Sequence, residues 1–473
     1  DRETYSQYAD VYSQAKSALH RLSGGRRAEL GSVVATVEQF AARGLLTASR
    51  LAPVFLELQR NTQWWSKTSA TPSPAPSPGG GHGHPTPCST AARIAAGPRV
   101  RFKGDPLTLQ YYPGVGLRLQ PLANFGTANS LYNACKGINT RPGTPCRPAQ
   151  LRALLDRLVA MGSNRHGFLA WEYYFPIYGG RPPWVSGIAT GSALSALAHG
   201  AQLFQEEEQQ AQQPPPGQPT GGVVPPPPSG KAAQEGTQPP PNPPAFYLDA
   251  ARRALGIFQH PPPVGIRVRG HVGPHYLIYS FAPGQRVGNA FLESLVGLYD
   301  YAQVSGDRTA RTLFDKGDRE ARWEVPRLDT GAWSLYELGG AESDLNYHRV
   351  IRDFLRNLCD RTQIQLYCAT ADRFTAYLYE RPVVAVVGPQ TARAGKPTRI
   401  AIRVSKISCV TIWVFRGKRV VDQPTWYFPH GVHSFAYTPP GPGAYRIKAV
   451  AHDLLNHQAI AEAPLRVLRR AKR

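Results

Sequence analysis

Two proline tracts constrain this chain more than any other feature. Residues 67 to 97 run through Pro-Ser-Pro-Ala-Pro-Ser-Pro into Gly-Gly-Gly-His-Gly-His-Pro, and residues 206 to 245 run from Glu206-Glu-Glu-Gln-Gln into repeated Pro-Pro-Pro. Proline fixes φ and lacks an N–H, so neither tract can lie inside a helix or a central strand. The first predicts an extended linker, the second a disordered insertion in a loop. His82 and His84 could catch a metal, but they lie in a flexible Gly/Pro tract, and no structural zinc site is expected there.

The tracts divide the chain into stretches that can pack. Residues 1–66 carry Leu30, Val33, Val34, Val37 and Phe40, then Leu51, Val54, Phe55 and Leu58, at helical spacing; this predicts a helical hairpin. From 98 the pattern opens with short strand-like pieces, Arg99 to Lys103 and Leu107 to Tyr112, and turns helical at Leu151, Leu154, Leu155, Leu158 and Met161. Further apolar stripes occupy 188–204, 246–258, 291–299 and 350–358. Long loops rich in Tyr, His, Gly and Trp join them at 171–187, 268–288 and 323–348. Amphipathic helices joined by such loops suggest an antiparallel toroid whose loops at one end wall a cleft.

After Pro382 the apolar period changes from 3.6 to 2, as in Ile400-Ala-Ile-Arg-Val and Tyr445-Arg-Ile-Lys-Ala-Val. About seven short strands with turn signals between them predict an immunoglobulin-like sandwich. The expected fold class is multidomain α + β, an (α/α) toroid-like helical domain with a short N-terminal β portion followed by a C-terminal β-sandwich. The expected boundaries are a helical segment 1–66, a linker 67–97, a toroid domain 98–380 interrupted by the insertion 206–245, and a sandwich 381–473 with a basic tail.

A length of 473 residues suits two or three such units, and 42% hydrophobic residues suffice to bury their cores. The formal net charge of +22 favours a polyanionic partner. The cations are scattered apart from the tail Arg469-Arg470-Ala471-Lys472-Arg473, and no zinc-finger spacing or RNA-binding signature occurs; nucleic acid is therefore not expected. No apolar run reaches the roughly 18 residues of a spanning helix. A chain that begins at Asp1 suggests a removed signal peptide, and the spacings Cys135 to Cys146 and Cys359 to Cys368 suit short disulfide loops. An extracellular or cell-envelope location is expected on that basis. Cys88 and Cys409 are far apart in sequence and are expected to be free.

Polar aromatics concentrate in His271-Val-Gly-Pro-His-Tyr-Leu-Ile-Tyr279-Ser, Leu328-Asp-Thr-Gly-Ala-Trp-Ser-Leu-Tyr336-Glu337-Leu and Asp344-Leu-Asn-Tyr347-His348-Arg349. With Phe291-Leu-Glu-Ser-Leu-Val-Gly-Leu-Tyr-Asp, Pro183-Trp-Val-Ser-Gly-Ile-Ala-Thr-Gly and Gln120-Pro-Leu-Ala-Asn-Phe-Gly, these segments resemble the C-terminal domain of the D-glucuronyl C5-epimerase family, in a divergent, bacterial-type member. The resemblance spans about 100 to 365, less the proline insertion. It implies inversion of C5 of glucuronate to iduronate in a heparosan, heparan or other uronic-acid polysaccharide, with an acidic, glucuronate-containing polysaccharide as partner. By family position it implies Tyr279, Tyr336 and Tyr347 as catalytic tyrosines. Two positions depart from the family: Ile278 stands where a glutamate precedes the tyrosine, and Gly339 where an arginine follows the Tyr-acid-Leu triplet.

Epimerisation beside a carboxylate needs a base on one face of the sugar, an acid on the other and positive charge for the developing enolate. His348, Arg349, Arg286 and Arg181 are the candidate sources of that charge. Trp184, Tyr173 and Tyr174 suit stacking on a sugar, and Glu337 is a further binding candidate. The plain alternatives are a packed core role for Tyr336 beside Trp333, a helix-start role for Tyr347 and His348, and a passive cleft wall at Tyr279. Two other functions stay open: a polysaccharide lyase, which expels the O4 substituent instead of returning a proton, and a non-catalytic glycan-binding protein. No nucleotide loop, zinc spacing or serine triad is present, so no cofactor is expected, with loop-bound calcium left open.

Overall fold

The structure, a computed structural model, describes residues 2–67, 97–138, 140–212 and 240–469. The linker expected at 67–97, with His82, His84 and Cys88, lies outside the described residues except at its two ends, as does most of the proline insertion.

Three helices open the chain, α1 (Arg2–Arg21), α2 (Gly24–Ala42) and α3 (Ala48–Lys67), one more than the expected hairpin. Ser23, in extended backbone, separates the first two. Leu30, Val33, Val34, Val37 and Phe40 of α2 meet Val54, Leu58 and Trp65 of α3 in one core, and Val100, Leu109, Tyr111 and Leu117 share it. Those four come from a small antiparallel sheet, β1 (Arg99–Arg101), β2 (Thr108–Tyr112) and β3 (Gly116–Leu119). Arg118 and Glu57, both fully buried, pair across this junction at 2.9 Å, and the Leu119 N–H donates to the same carboxylate.

Four helix pairs follow: α4 (Pro121–Lys136) with α5 (Pro148–Ala160), α6 (Gly187–Gln212) with α7 (Pro244–Ala254), α9 (Gly288–Ser305) with α10 (Arg308–Glu324), and α11 (Leu345–Thr362) with α12 (Gln365–Tyr377). A short α8 (Gly256–Gln259) and two hairpins, β4 (Ser163–Arg165) with β5 (Phe168–Ala170) and β6 (Arg267–Arg269) with β7 (Pro274–Tyr276), sit in the connections. The stripes read from the sequence are buried: Leu151, Leu154, Leu155 and Leu158, Ala250 and Ala254, Phe291 and Leu295, Ile351 and Leu355. Helices α4 and α11 each contact one neighbour of the closely apposed pair α6 and α9. At Gly297 a Cβ would come within 2.1 Å of the Gly191 carbonyl oxygen, so two glycines set how closely α6 and α9 approach. Where the insertion comes into view it differs from expectation, because α6 continues to Gln212. Glu206 to Gln212 are strong helix formers, and the first proline arrives only at 214.

Among the described residues the C-terminal part holds nine strands, where about seven were expected. One sheet orders β14 (Gly431–Tyr437), β10 (Thr398–Val404) and β8 (Val384–Gly388). The other orders β12 (Arg419–Asp422), β11 (Ser408–Arg416), β15 (Gly443–Asp453), β16 (Gln458–Leu468) and β9 (Thr391–Arg393), with β13 (Thr425–Phe428) also paired to β11. Ile400, Ile402 and Val404 of the first share a core with Val410, Ile412, Val414, Ile447 and Leu465 of the second. Alternate residues of β10 and β11 are buried, which the period-2 pattern predicts. The strands are tied to the helices by Lys406, which is 1% exposed, pairs with Asp453 at 2.9 Å and donates to the Tyr377 carbonyl at the end of α12.

Disulfides join Cys135 to Cys146 and Cys359 to Cys368, the two short loops expected. Cys409 is also disulfide-bonded, contrary to the expectation that it is free. Among the described residues no helix is long and apolar enough to cross a membrane.

Candidate active site

Four helices begin at one place. Leu122 of α4, Ile188 of α6, Asn289 of α9 and Tyr347 of α11, each in the first turn of its helix, all line one cleft of about 230 Å³. The aligned dipoles of helix starts favour negative charge, although the N–H groups of Gly187, Gly288 and Tyr347 already donate to the Leu277 and Ile278 carbonyls, the Tyr336 carbonyl and the Asp344 side chain. Loops supply the walls, including Tyr112, Gln120, Tyr173, Trp184 and Tyr279.

These walls are ordered by ring contacts and a hydrogen-bonded chain. The Tyr173 hydroxyl donates to Gln120 Oε1 at 2.8 Å, and Gln120 Nε2 donates to the Tyr112 hydroxyl at 2.8 Å. Trp184 lies flat on Tyr173 with centroids 4.0 Å apart, donates its indole N–H to the Phe175 carbonyl and presents its edge to Tyr279 at 5.4 Å. Tyr279 stacks on Phe281 at 5.0 Å. Tyr336 and Tyr347 meet at 4.7 Å, and Asp344 caps α11 by accepting the Tyr347 N–H at 2.9 Å. Burial, reinforced by the neighbouring tyrosines, holds the Tyr279 and Tyr336 hydroxyls well above the ordinary range, and burial pushes Tyr112 up to about 12.

Of the residues singled out from sequence, Tyr279, Tyr347 and Trp184 line the cleft, and Tyr336 packs on Tyr347 beside it. Ile278 is also in the wall, and its side chain is apolar and buried. Six of the binding candidates need correction. His348 is fully buried, lies flat on Trp333 at 3.7 Å, takes Ser334 Oγ at Nδ1 and meets the Phe374 carbonyl at Nε2. Both ring nitrogens are therefore engaged in the core, and burial drops its pKa to about 4, so it brings no positive charge to the cleft. Tyr174 is likewise buried, against Phe40 and with its hydroxyl on Glu172, in the core shared with the N-terminal helices.

The arginines are not in the cleft wall either. Arg286 donates to the Arg269 carbonyl at 2.7 Å and lies 3.5 Å from Glu324, while Arg181 and Arg349 are exposed outside the lining. The Glu337 backbone pairs with Val287 and its side chain folds against Gly340. Sequence reasoning passed over Asn289, which is 3% exposed and whose Oδ1 has no donor among the described residues. Its signal was a polar residue between Gly288 and the apolar stripe that starts at Phe291. Tyr178, 58% exposed with φ of 48°, stands at the rim. Among the described residues no group of three or more His, Cys, Asp or Glu is placed to hold a metal ion.

Residues 244–376 match the family described as D-glucuronyl C5-epimerase C-terminus. The matched segment runs from the start of α7 into α12 and contains Tyr279, Tyr336, Tyr347 and Asn289; Tyr112, Gln120, Tyr173 and Trp184, which also line the cleft, precede it. A D-glucuronyl C5-epimerase of Caenorhabditis elegans is 31% identical over 153 residues, 28% of this chain and 25% of that protein. The chain thus spans about a quarter of the length of the curated relative it matches. Solved structures with local likeness include a CARDB domain from Pyrococcus furiosus, 21% identical over 19% of this chain and 97% of that one, with a TM-score of 0.15. A fibronectin(III)-like module of CbhA from Clostridium thermocellum is 24% identical over 18% and 94%, also at 0.15.

Proposed function

We propose that the chain is a D-glucuronyl C5-epimerase-like isomerase that exchanges the C5 proton of glucuronate units in a uronic-acid polysaccharide of the heparosan or heparan type. The observation that carries this is the meeting of Tyr279, Tyr336 and Tyr347 at a cleft floored by four helix starts, inside the segment that matches the family. Tyr279 and Tyr336 keep their protons and serve as donors, one of them returning a proton to C5. Tyr347, in the first turn of α11, is the group assigned to accept the C5 proton; it does so as its phenolate and ends as the phenol, while the donor on the other face ends as phenolate, and solvent exchange returns both to their starting forms. The helix dipoles favour the enolate, in place of the arginine clamp that the cleft lining lacks, and Asn289 Oδ1 is free to accept from a sugar hydroxyl. A space of 230 Å³ is below the roughly 300 Å³ at which drug-sized pockets begin, which suits one sugar ring.

Within the same reading, the arc of helix pairs is an (α/α) toroid, the nine strands are an immunoglobulin-like sandwich spanning 381–473, and the location is extracellular or cell-envelope. Disulfide bonding of every cysteine among the described residues supports export. A second reading, non-catalytic glycan binding, draws on the apolar Ile278 and on a cleft lining without arginine or lysine.

The test is incubation with heparosan in D2O, with NMR detection of deuterium at C5. Exchange that falls about a hundredfold or more in Tyr347→Phe is the expected result. Absence of exchange with saturable binding selects the second reading, and absorbance from an unsaturated uronate selects a lyase.

A further inference from the structure

The same four helices enclose a second, larger space. A small apolar cluster of Ile188, Ile278 and Ala290, with Leu122 and Phe354 packed on it, lies between the cleft and a chamber of about 770 Å³. Leu122 borders both spaces, and the chamber extends from there along α4, α6, α9 and α11 to exposed residues Arg99, Ser130 and Asp360.

Its walls are polar where the centre of a helix bundle is ordinarily apolar. Glu293 is 7% exposed and accepts a hydrogen bond from Ser192 Oγ. Arg361 grips Asp300 through Nε at 2.6 Å and Nη2 at 2.8 Å, and Ser195 Oγ donates to the same carboxylate at 2.8 Å. Asn129 donates to the Ser192 carbonyl at 3.1 Å, while its Oδ1 is buried without a donor among the described residues. His199 lies flat on Tyr132 at 4.4 Å, its Nε2 3.6 Å from Asp300.

The buried Asn129 Oδ1 costs stability while it has no donor, and a large cavity with converging polar groups is where ligands bind. The charges decide the class. Arg361 and Asp300 cancel, burial keeps His199 neutral, and burial pushes Glu293 up to about 7. The chamber therefore offers donors, acceptors and an aromatic face with little net charge, inside a chain of +22. We propose that this chamber binds one uncharged pyranose ring, its hydroxyls meeting Glu293 and the Asn129 carbonyl and its apolar face the Tyr132–His199 stack.

Saturation-transfer NMR on the full chain tests this, with methyl β-glucopyranoside as the neutral probe and methyl β-glucuronide as the charged one. The neutral probe is expected to bind, and Asn129→Leu and Glu293→Leu to weaken it about tenfold. Glu293→Gln, which keeps a donor and an acceptor, retains binding, as does Tyr279→Phe in the cleft. Thermal midpoints identify any variant that fails to fold, and the Gln variant then carries the comparison. Failure of the neutral probe to bind overturns the proposal. So does weakening by Tyr279→Phe with none by the chamber variants, and so does preference for the glucuronide in the chamber. A uronate-containing tetrasaccharide separates the sources: weakening by both Asn129→Leu and Tyr279→Phe means the ring belongs to the polymer, weakening by Asn129→Leu alone means a free sugar. None of these outcomes depends on C5 exchange.

Discussion

His348 and Glu293 pull the stability of the fold in opposite directions as pH changes. Burial lowers the histidine from 6.5 to about 4, so its contribution is present above 6.5 and is lost as pH falls from there toward 4. At about 1.4 kcal/mol per tenfold, the full loss is about 3 kcal/mol. Burial raises Glu293 from 4.5 to about 7, so its contribution is present below 4.5 and is lost, by a similar amount, as pH rises through 7. Urea unfolding at pH 4, 5.5 and 8 should show Glu293→Gln gaining on the parent chain by about 3 kcal/mol at pH 8 relative to pH 4. His348→Gln should lose less than the parent between pH 6.5 and 4, and equal slopes in parent and variant would exclude the assignment. Neighbours in sequence were the limit of what residue reading could give. Tyr347 and His348 are successive on a helix and so point about 100° apart; when one lines the cleft the other enters the core. Tyr173 and Tyr174 are successive in extended backbone, where side chains alternate faces, and again one lines the cleft and the other leaves it. The motif was readable in both cases, and the face was not.

Among elements, the α6–α9 contact has the least tolerance. A Cβ at Gly297 would sit 2.1 Å from the Gly191 carbonyl oxygen, with backbone on both sides and no flexible side chain to yield. Gly297→Ala should therefore cost about 2 to 3 kcal/mol through overpacking. Both helices start at the cleft, so the same change should lower ligand affinity there, whereas Gly306→Ala, beyond the end of α9, should cost stability and leave affinity unchanged. Denaturant melts combined with titration of a uronate oligosaccharide separate the two effects. Periodicity located α5, α6, α7, α9 and α11 by their apolar residues and passed over α4, α10 and α12. It missed the break at Ser23 and the last turns of α6, since composition drew the insertion too early, at residues whose helix propensity is high.

For the molecule as a whole, the junction between helices and strands rests on few groups, and they are deeply buried. Lys406 reaches from the strands to Asp453 and to the end of α12, with the face of Trp333 5.4 Å away, and Glu342 accepts the N–H of Ile407 and of His430. Lys406→Met leaves the Asp453 carboxylate buried without its cation, an expected cost of about 3 to 5 kcal/mol. The double variant Lys406→Met/Asp453→Leu should recover most of it. Calorimetry should show the single variant splitting one transition into two, and an unchanged transition would mean that the junction does not couple the parts. This junction was not legible in sequence, because nothing in a lone lysine at 406 marks it as the residue that faces a tryptophan some seventy positions earlier. The convergence of four helix starts on one cleft has a different kind of consequence. A pull exerted by helix dipoles has no side chain to delete and no proton to lose. An alanine scan of the cleft should leave it in place, and it acts with the same strength in an acidic compartment as in a neutral one, where a clamp built on histidine would switch with the surroundings.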